Sequence, residues 1–112
     1  MSILERAKAH FDKKEIKRIE VPEWGDEDGN PAIVIAEPFT LADRKTLLKF
    51  AKDDEMEFVV RLVIMKAMDE DGKKLFDLSD KPVLMNKVDP AIILRLANAI
   101  SVAPSVEDMT GN

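Results

Sequence analysis

The segment from 55 to 68, EMEFVVRLVIMKAM, constrains the fold more than any other part of the chain. After its first residue, apolar side chains fill the segment, and only Glu57, Arg61 and Lys66 interrupt them. Glu57 and Arg61 would form a favourable i,i+4 pair in a helix. A helix that is apolar on most sides belongs at the centre of a fold or against a partner. We therefore predict a buried helix over 55–68, capped by the aspartates before it.

Two segments with period-two patterning precede this helix. Residues 16–24, IKRIEVPEW, place Ile19 and Val21 on one face, and residues 32–39, AIVIAEPF, are rich in β-branched side chains. The stretch between them, GDEDGNP, consists almost wholly of turn-forming residues, which predicts a β-hairpin with a loop longer than two residues. Pro22 has no amide hydrogen, so we expect it at an edge or a strand end.

An N-terminal helix is predicted by a capping signal. Ser2 and Glu5 match the S-x-x-E capping box, in which the two side chains satisfy free backbone amides. The apolar residues of this helix form one stripe: Ile3, Leu4, Ala7 and Phe11. The charged run DKKE at 12–15 ends it.

Similar signals predict the other helices. Thr40, with Asp43 three residues later, predicts a helix with one apolar stripe. That stripe consists of Leu41, Leu47, Leu48 and Ala51. Ser79 or Asp80 can cap a short helix that holds Pro82 in its first turn.

The last predicted helix runs from Ala91 to about Ser101, after Asp89–Pro90. Pro104 stops it. The order is therefore one N-terminal helix, one β-hairpin and then three to four packed helices, which is a mostly helical α+β fold. We predict a single domain over 1–104 and a mobile C-terminal tail over 105–112.

Charge and composition exclude several classes of protein. The chain has 17 Lys+Arg against 22 Asp+Glu, a formal net charge of −5, so it lacks the basic surface that nucleic-acid and membrane binding need. It has no cysteine, which excludes disulfides and thiolate metal sites. No apolar run is long enough to span a bilayer, and the N-terminus has no secretory h-region. We expect a soluble intracellular domain.

The tetrapeptide DEDG occurs twice, at 26–29 and at 69–72, and suggests calcium loops. An EF-hand with Gly29 at position 6 would have Trp24 and Ile35 at positions 1 and 12. With Gly72 at position 6, those positions would hold Ala67 and Leu78. Neither loop has the first and last ligands, so we predict turns and no metal site or cofactor.

Residues that would mark an enzyme are scarce. His10 is the only histidine and lies in a charged helix, where a surface position explains it. The Asp and Glu residues could pair as catalytic carboxylates, but most fall at caps and turns. The chain has no phosphate-binding glycine loop, no G-x-S-x-G and no H-E-x-x-H motif, so we expect no enzymatic activity.

Three features could bind a partner. Trp24, the only tryptophan, could anchor a partner or could cap the core. The methionines Met56, Met65 and Met68 could form an adaptable face, although core packing explains them better. The last helix is the strongest candidate, because its apolar residues cover more of its circumference than one core stripe requires. These residues are Ile92, Ile93, Leu94, Leu96 and Ile100.

Taken together, residues 16–112 resemble the small tail assembly chaperones of long-tailed phages and prophages. The resemblance lies in three motifs and in their order. These motifs are V-P-E-W-G at 21–25, D-E-D-G-x-x-L-F at 69–76, and V-x-x-x-I-x-x-R-L-x-x-A at 88–99. None of them is catalytic.

The resemblance implies a non-enzymatic role in the host bacterial cytoplasm. Chaperones of this family bind the tape-measure protein, keep it soluble and help to recruit tail-tube protein before they leave the tail. Many are made in two lengths through a programmed frameshift near the end of the gene. The alternatives are a structural minor tail or head–tail joining protein, and an enzyme or metal-binding accessory domain. The sequence leaves homo-oligomerisation open.

Overall fold

A computed structural model describes residues 2–13 and 16–101 of the chain. The described residues form five α-helices and one antiparallel pair of strands, so the predicted mostly helical α+β class and its order are confirmed. The elements are α1 (Ile3–Asp12), β1 (Lys17–Val21), β2 (Ala32–Ala36), α2 (Leu41–Ala51), α3 (Glu55–Lys66), α4 (Lys81–Asn86) and α5 (Pro90–Ser101). The predicted tail at 105–112 lies outside the described residues.

Helix α3 is the centre of the fold, as its apolar sequence predicts. It contacts α2, α4 and α5, and four consecutive or nearly consecutive residues are buried: Val60, Leu62, Val63 and Ile64. Asp54 caps it by accepting a hydrogen bond from the Glu57 backbone N–H at 3.1 Å. Met56 is exposed, whereas Met65 packs against the core.

Helix α3 ends two residues earlier than predicted. Ala67 is extended, and the backbone N–H and C=O of Met68 bond to Ile35 of β2, both at 2.8 Å. Two hydrogen bonds to a strand replace the helical bonds that these backbone groups would otherwise make. Periodicity does not reveal this ending, because apolar residues fit both conformations.

The two DEDG segments fold in the same way. In each, the first aspartate accepts hydrogen bonds from backbone amides two and four residues later, at 2.8 to 3.1 Å. In each, the glycine has a positive φ, 86° at Gly29 and 83° at Gly72, and donates its N–H to that aspartate's carbonyl. This pattern is that of a three-residue hairpin loop with a left-handed glycine. The prediction that both segments are turns is confirmed.

Asp80 is the N-cap residue of α4, one of the two predicted positions, but its side chain makes no cap hydrogen bond to this helix. Asp77 accepts a hydrogen bond from the Ser79 N–H at 2.8 Å and caps a 3₁₀ turn over Leu78–Asp80, while Asp80 reaches back to the Asp77 N–H. Helix α4 continues from this turn with Pro82 in its first turn. The capping box therefore begins at Asp77, three residues before Asp80, because the chain enters α4 through a 3₁₀ turn.

Polar contacts join β1 to α5. The Lys17 ammonium donates to the carbonyls of Ala99 and Ile100, at 2.5 and 3.1 Å, where the negative end of the helix dipole lies. At the other end of β1, Glu23 pairs with Arg95. The strand therefore runs along α5 in the opposite direction.

Glu57 joins α4 to the centre of the fold. Its carboxylate accepts hydrogen bonds from Lys81 of α4 and from Arg61 of its own helix, the pair that the sequence predicts. The Lys81 hydrogen bond, followed by that of Arg61, holds the pKa of Glu57 below its ordinary value of 4.5.

Truncation of the α5 core should be costly. Leu96 is fully buried whereas Leu94, two residues away, is 41% exposed. We expect Leu96→Ala to lower the free energy of unfolding by about 2–5 kcal/mol, because it leaves a cavity. Leu94→Ala is the matched control and should cost less than about 1 kcal/mol. Urea denaturation followed by circular dichroism measures both, and equal losses would contradict this assignment of the buried face.

Removal of the Glu57 charge should change how stability depends on pH. A carboxylate whose pKa is lowered on folding stabilises the protein above its ordinary pKa, and this contribution is lost as the pH falls through the folded pKa. Stability of the wild type should therefore exceed that of Glu57→Gln at about pH 6, and the difference should shrink towards about pH 3. Glu55→Gln, at the exposed start of the same helix, is the control. Urea midpoints across this pH range provide the measurement, and a constant difference would contradict the expectation.

Candidate functional site

The residues of the last helix that were predicted to bind a partner lie in the core. Ile92, Ile93, Leu96 and Ile100 are all buried, and of the predicted set only Leu94 is exposed. The apolar face of α5 is broad because α3 covers one part of it and β1 covers another. The width of the face is thus explained without a partner. A role of the four buried residues in partner binding stays a prediction, and it would require α5 to leave the core.

Trp24 packs within the chain. It is partly buried against the core, and its ring meets Phe76 edge-to-face, with centroids 6.4 Å apart and an interplanar angle of 83°. This geometry is a favourable one for aromatic pairs. The packing interpretation of Trp24 therefore agrees with the structure, and Phe76 is its ring partner. Its role as an anchor for a partner stays a prediction.

The residues around Trp24 explain the V-P-E-W-G motif. Pro22 begins a 3₁₀ helix over Pro22–Trp24 directly after β1, at the strand end where a proline was expected. A Cβ at Gly25 would lie 2.4 Å from the carbonyl oxygen of Asn30, so this position requires glycine. Glu23 accepts two hydrogen bonds from Arg95, at 2.6 and 3.0 Å, and the Arg95 hydrogen bond lowers the pKa of Glu23.

The three sequence motifs at 21–25, 69–76 and 88–99 meet in space. Glu23 of the first motif pairs with Arg95 of the third, and Trp24 of the first contacts Phe76 of the second. Within the motifs, Val21, Ile92 and Leu96 are buried. The motifs therefore form one structural framework between the hairpin, the second DEDG loop and α5.

Helix α1 exposes its entire predicted apolar stripe. Every residue of Ile3–Asp12 is exposed, with Ile3 at 76% and Leu4 at 73%. Ser2 caps the helix as predicted, and its hydroxyl accepts the Glu5 N–H at 3.1 Å. We call the stripe of Ile3, Leu4, Ala7 and Phe11 the α1 face. No other described part of the chain buries it.

The apolar stripe predicted for α2 is only partly buried. Leu47 and Ala51 are buried, whereas Leu41 is 85% and Leu48 is 42% exposed. The buried edge of α2 is narrower than the predicted stripe, so the two outer leucines remain in contact with solvent. They lie with Arg44 and Lys45 at i, i+3, i+4 and i+7 spacing, which places all four on one side of the helix. We call these four residues the α2 outer face.

The base of α2 is held in place from the opposite side. Thr40 and Asp43 form the predicted capping box, with both hydrogen bonds at 3.0 Å. Lys66 at the end of α3 reaches Asp43 at 2.6 Å and the Pro38 carbonyl at 3.3 Å. Burial opposes ionisation of Asp43, but the hydrogen bonds from Lys66 and Thr40 outweigh it and lower its pKa. These contacts fix which side of α2 faces outward.

The exposed faces of α1 and α2 are absent from the sequence-based site prediction. The apolar stripe of α1 is visible in the sequence, but a stripe normally indicates core packing. One feature of the sequence does favour an exposed stripe: the helix is short, and charged residues separate it from the rest of the chain. For α2, the basic residues Arg44 and Lys45 share a side of the helix with Leu41 and Leu48, which favours exposure of these two leucines.

Two other kinds of site, metal clusters and helical membrane spans, are absent from the described residues. Among them, no three Asp, Glu or His side chains come together as a set of metal ligands. Within the same ranges, no helix combines the length and apolar character needed to cross a membrane. The chain was also compared with known proteins, and no family model, curated protein or solved structure matches it.

Removal of the Phe76 ring should expose Trp24. Because Trp24 is the only tryptophan, its fluorescence reports this one site. We expect Phe76→Ala to shift the emission to longer wavelength and to increase quenching by iodide, since the ring that covers the indole is lost. Phe50→Ala, at an exposed phenylalanine on α2, is the matched control and should leave the emission unchanged. Unaltered emission in Phe76→Ala would contradict the packing role of Trp24.

Proposed function

We propose that this chain is a phage or prophage tail assembly chaperone. In this role it binds the tape-measure protein in the host bacterial cytoplasm, keeps it soluble and helps to recruit tail-tube protein. The proposal starts from the resemblance over residues 16–112. It is supported by the contacts among the three motifs, because motifs that maintain one framework are expected to recur together in order.

The observation that carries a binding role is the exposure of the α1 face. Helix α1 has 10 residues, and isolated helices of this length are marginal in water, so most of their stability comes from packing an apolar face. Ile3 and Leu4 are each about three-quarters exposed. An exposed apolar helical stripe of this kind is typical of a surface that another protein covers.

The chemistry of the α1 face suits a helical client. Its apolar residues follow the i, i+1, i+4 and i+8 spacing of a helix that lays one side against another helix or into a groove. Such contacts bury apolar surface without requiring a fixed set of polar partners. That property suits a chaperone, which must hold a long apolar segment and later release it.

Substitution of the α1 face should reduce client solubility. The test is co-expression with the tape-measure protein of the same locus, followed by size-exclusion chromatography. We expect wild-type chain to co-elute with soluble client and Leu4→Glu to lose most of this association, since a buried carboxylate at the contact is costly. Ala9→Glu adds the same charge on the opposite side of α1 and is the matched control.

Different outcomes separate the alternatives. If wild-type chain neither co-elutes with the client nor raises its solubility, the chaperone proposal is wrong. If the chain is found in purified virions, it is a structural tail or head–tail joining component. If Leu4→Glu retains client as well as the wild type does, the α1 face is not the contact.

A further inference from the structure

We propose that the α2 outer face binds an acidic amphipathic helix of a protein partner. This surface is separate from the α1 face and from the framework of the three motifs. Recognition of an acidic helix by this surface does not require that the chain act in tail assembly. Its grounds are the charge, the pairing and the spacing of the residues on this side of α2.

The first ground is the concentration of positive charge on α2. Arg44, Lys45 and Lys49 lie within the helix, and Lys52 follows as its C-cap. Its single acidic residue is Asp43. The chain as a whole has a net charge of −5, so α2 is a basic segment in an acidic protein. A local field of the opposite sign attracts partners that the rest of the surface repels.

The second ground is that this charge is not neutralised within the described residues. Asp43 is engaged by Lys66 at 2.6 Å, on the inner side of the helix. Arg44 lies over the Phe58 ring at 5.9 Å, a contact with an aromatic face and not with a carboxylate. Across residues 2–13 and 16–101, no ion pair is formed by the four basic residues of this segment.

The third ground is the pair of leucines between the charges. Leu41 and Leu48 are seven residues apart, which separates them by about 10 Å along the axis. On the helical wheel, Arg44 and Lys45 lie on opposite sides of the line that joins them. An apolar seam with cations on both sides is complementary to a helix whose leucines are flanked by Glu or Asp, as in heptad pairing.

Other occupants fit this surface less well. A second copy of the chain has no suitable helix among the described ones, since none of the five has more acidic than basic residues. An anionic membrane would have to accept the exposed carboxylates of Asp53 and Asp54, which follow α2 directly. Nucleic acid would engage the cations through its phosphates but would leave Leu41 and Leu48 exposed to solvent. The experiment below distinguishes the membrane and the second copy from the acidic helix.

The experiment uses the full chain and a designed peptide. The probe is a fluorescein-labelled helical peptide of about 20 residues, long enough to be helical, with leucines at heptad spacing flanked by Glu. A peptide with the same leucines and Gln flanks is the control. Fluorescence anisotropy should show that the Glu peptide binds, that the Gln peptide binds more weakly, and that added salt weakens binding of the Glu peptide.

Two variants locate the contact. Lys45→Glu should weaken peptide binding by about tenfold, because it replaces an attraction with a repulsion of similar size. Leu48→Ala should weaken it less. Lys8→Glu makes the same charge change on α1 and is the matched control. Because Lys45 and Lys8 are both exposed, neither substitution disturbs the core, and circular dichroism confirms that each variant is folded.

Several results would overturn the inference. Equal binding of the Glu and Gln peptides, or unchanged binding by Lys45→Glu, would show that the surface does not recognise acidic helices. Binding to phosphatidylcholine–phosphatidylglycerol vesicles that Lys45→Glu abolishes, without peptide binding, would assign the surface to membranes. Self-association that Lys45→Glu abolishes, again without peptide binding, would assign it to a second copy. Loss of client solubilisation in Leu4→Glu, by contrast, tests the α1 face and does not bear on the α2 outer face.

Discussion

Burial of α3 is the constraint on which the rest of the structure depends. A helix that is apolar on most of its circumference needs neighbours on several sides, and α2, α4 and α5 all pack against it. The contact with α5 is the most extensive of the three, and Val63 and Leu96 are both fully buried. Once α3 ends, Met68 pairs with β2, so the same segment also attaches the hairpin to the helices.

The contacts that join the three motifs at 21–25, 69–76 and 88–99 belong to this framework. Glu23 reaches Arg95, and Trp24 contacts Phe76, so the three motifs hold one another in place. Exposed apolar and basic side chains occur elsewhere, on α1 and α2.

Elements with a local signal could be predicted from the sequence. The capping residues Ser2, Thr40 and Asp54 begin helices where expected, and the DEDG segments form turns because aspartate and glycine suit them. The burial of the candidate site residues could not be predicted in the same way. The apolar surface of α5 is core, because β1 covers a part of the helix that a single stripe would leave exposed. Periodicity gives the width of an apolar face but not the number of neighbours that cover it.

Local chemistry was therefore enough to specify which segments are helices, which are strands and where the chain turns, because caps, periods and turn residues act over a few positions. Long-range packing settled three other matters. It ended α3 at Lys66, it assigned Leu47 to the core and Leu48 to solvent, and it left the α1 face uncovered. Each depends on which distant surface comes to lie against a residue, and that contact is created only when the helices and the hairpin assemble.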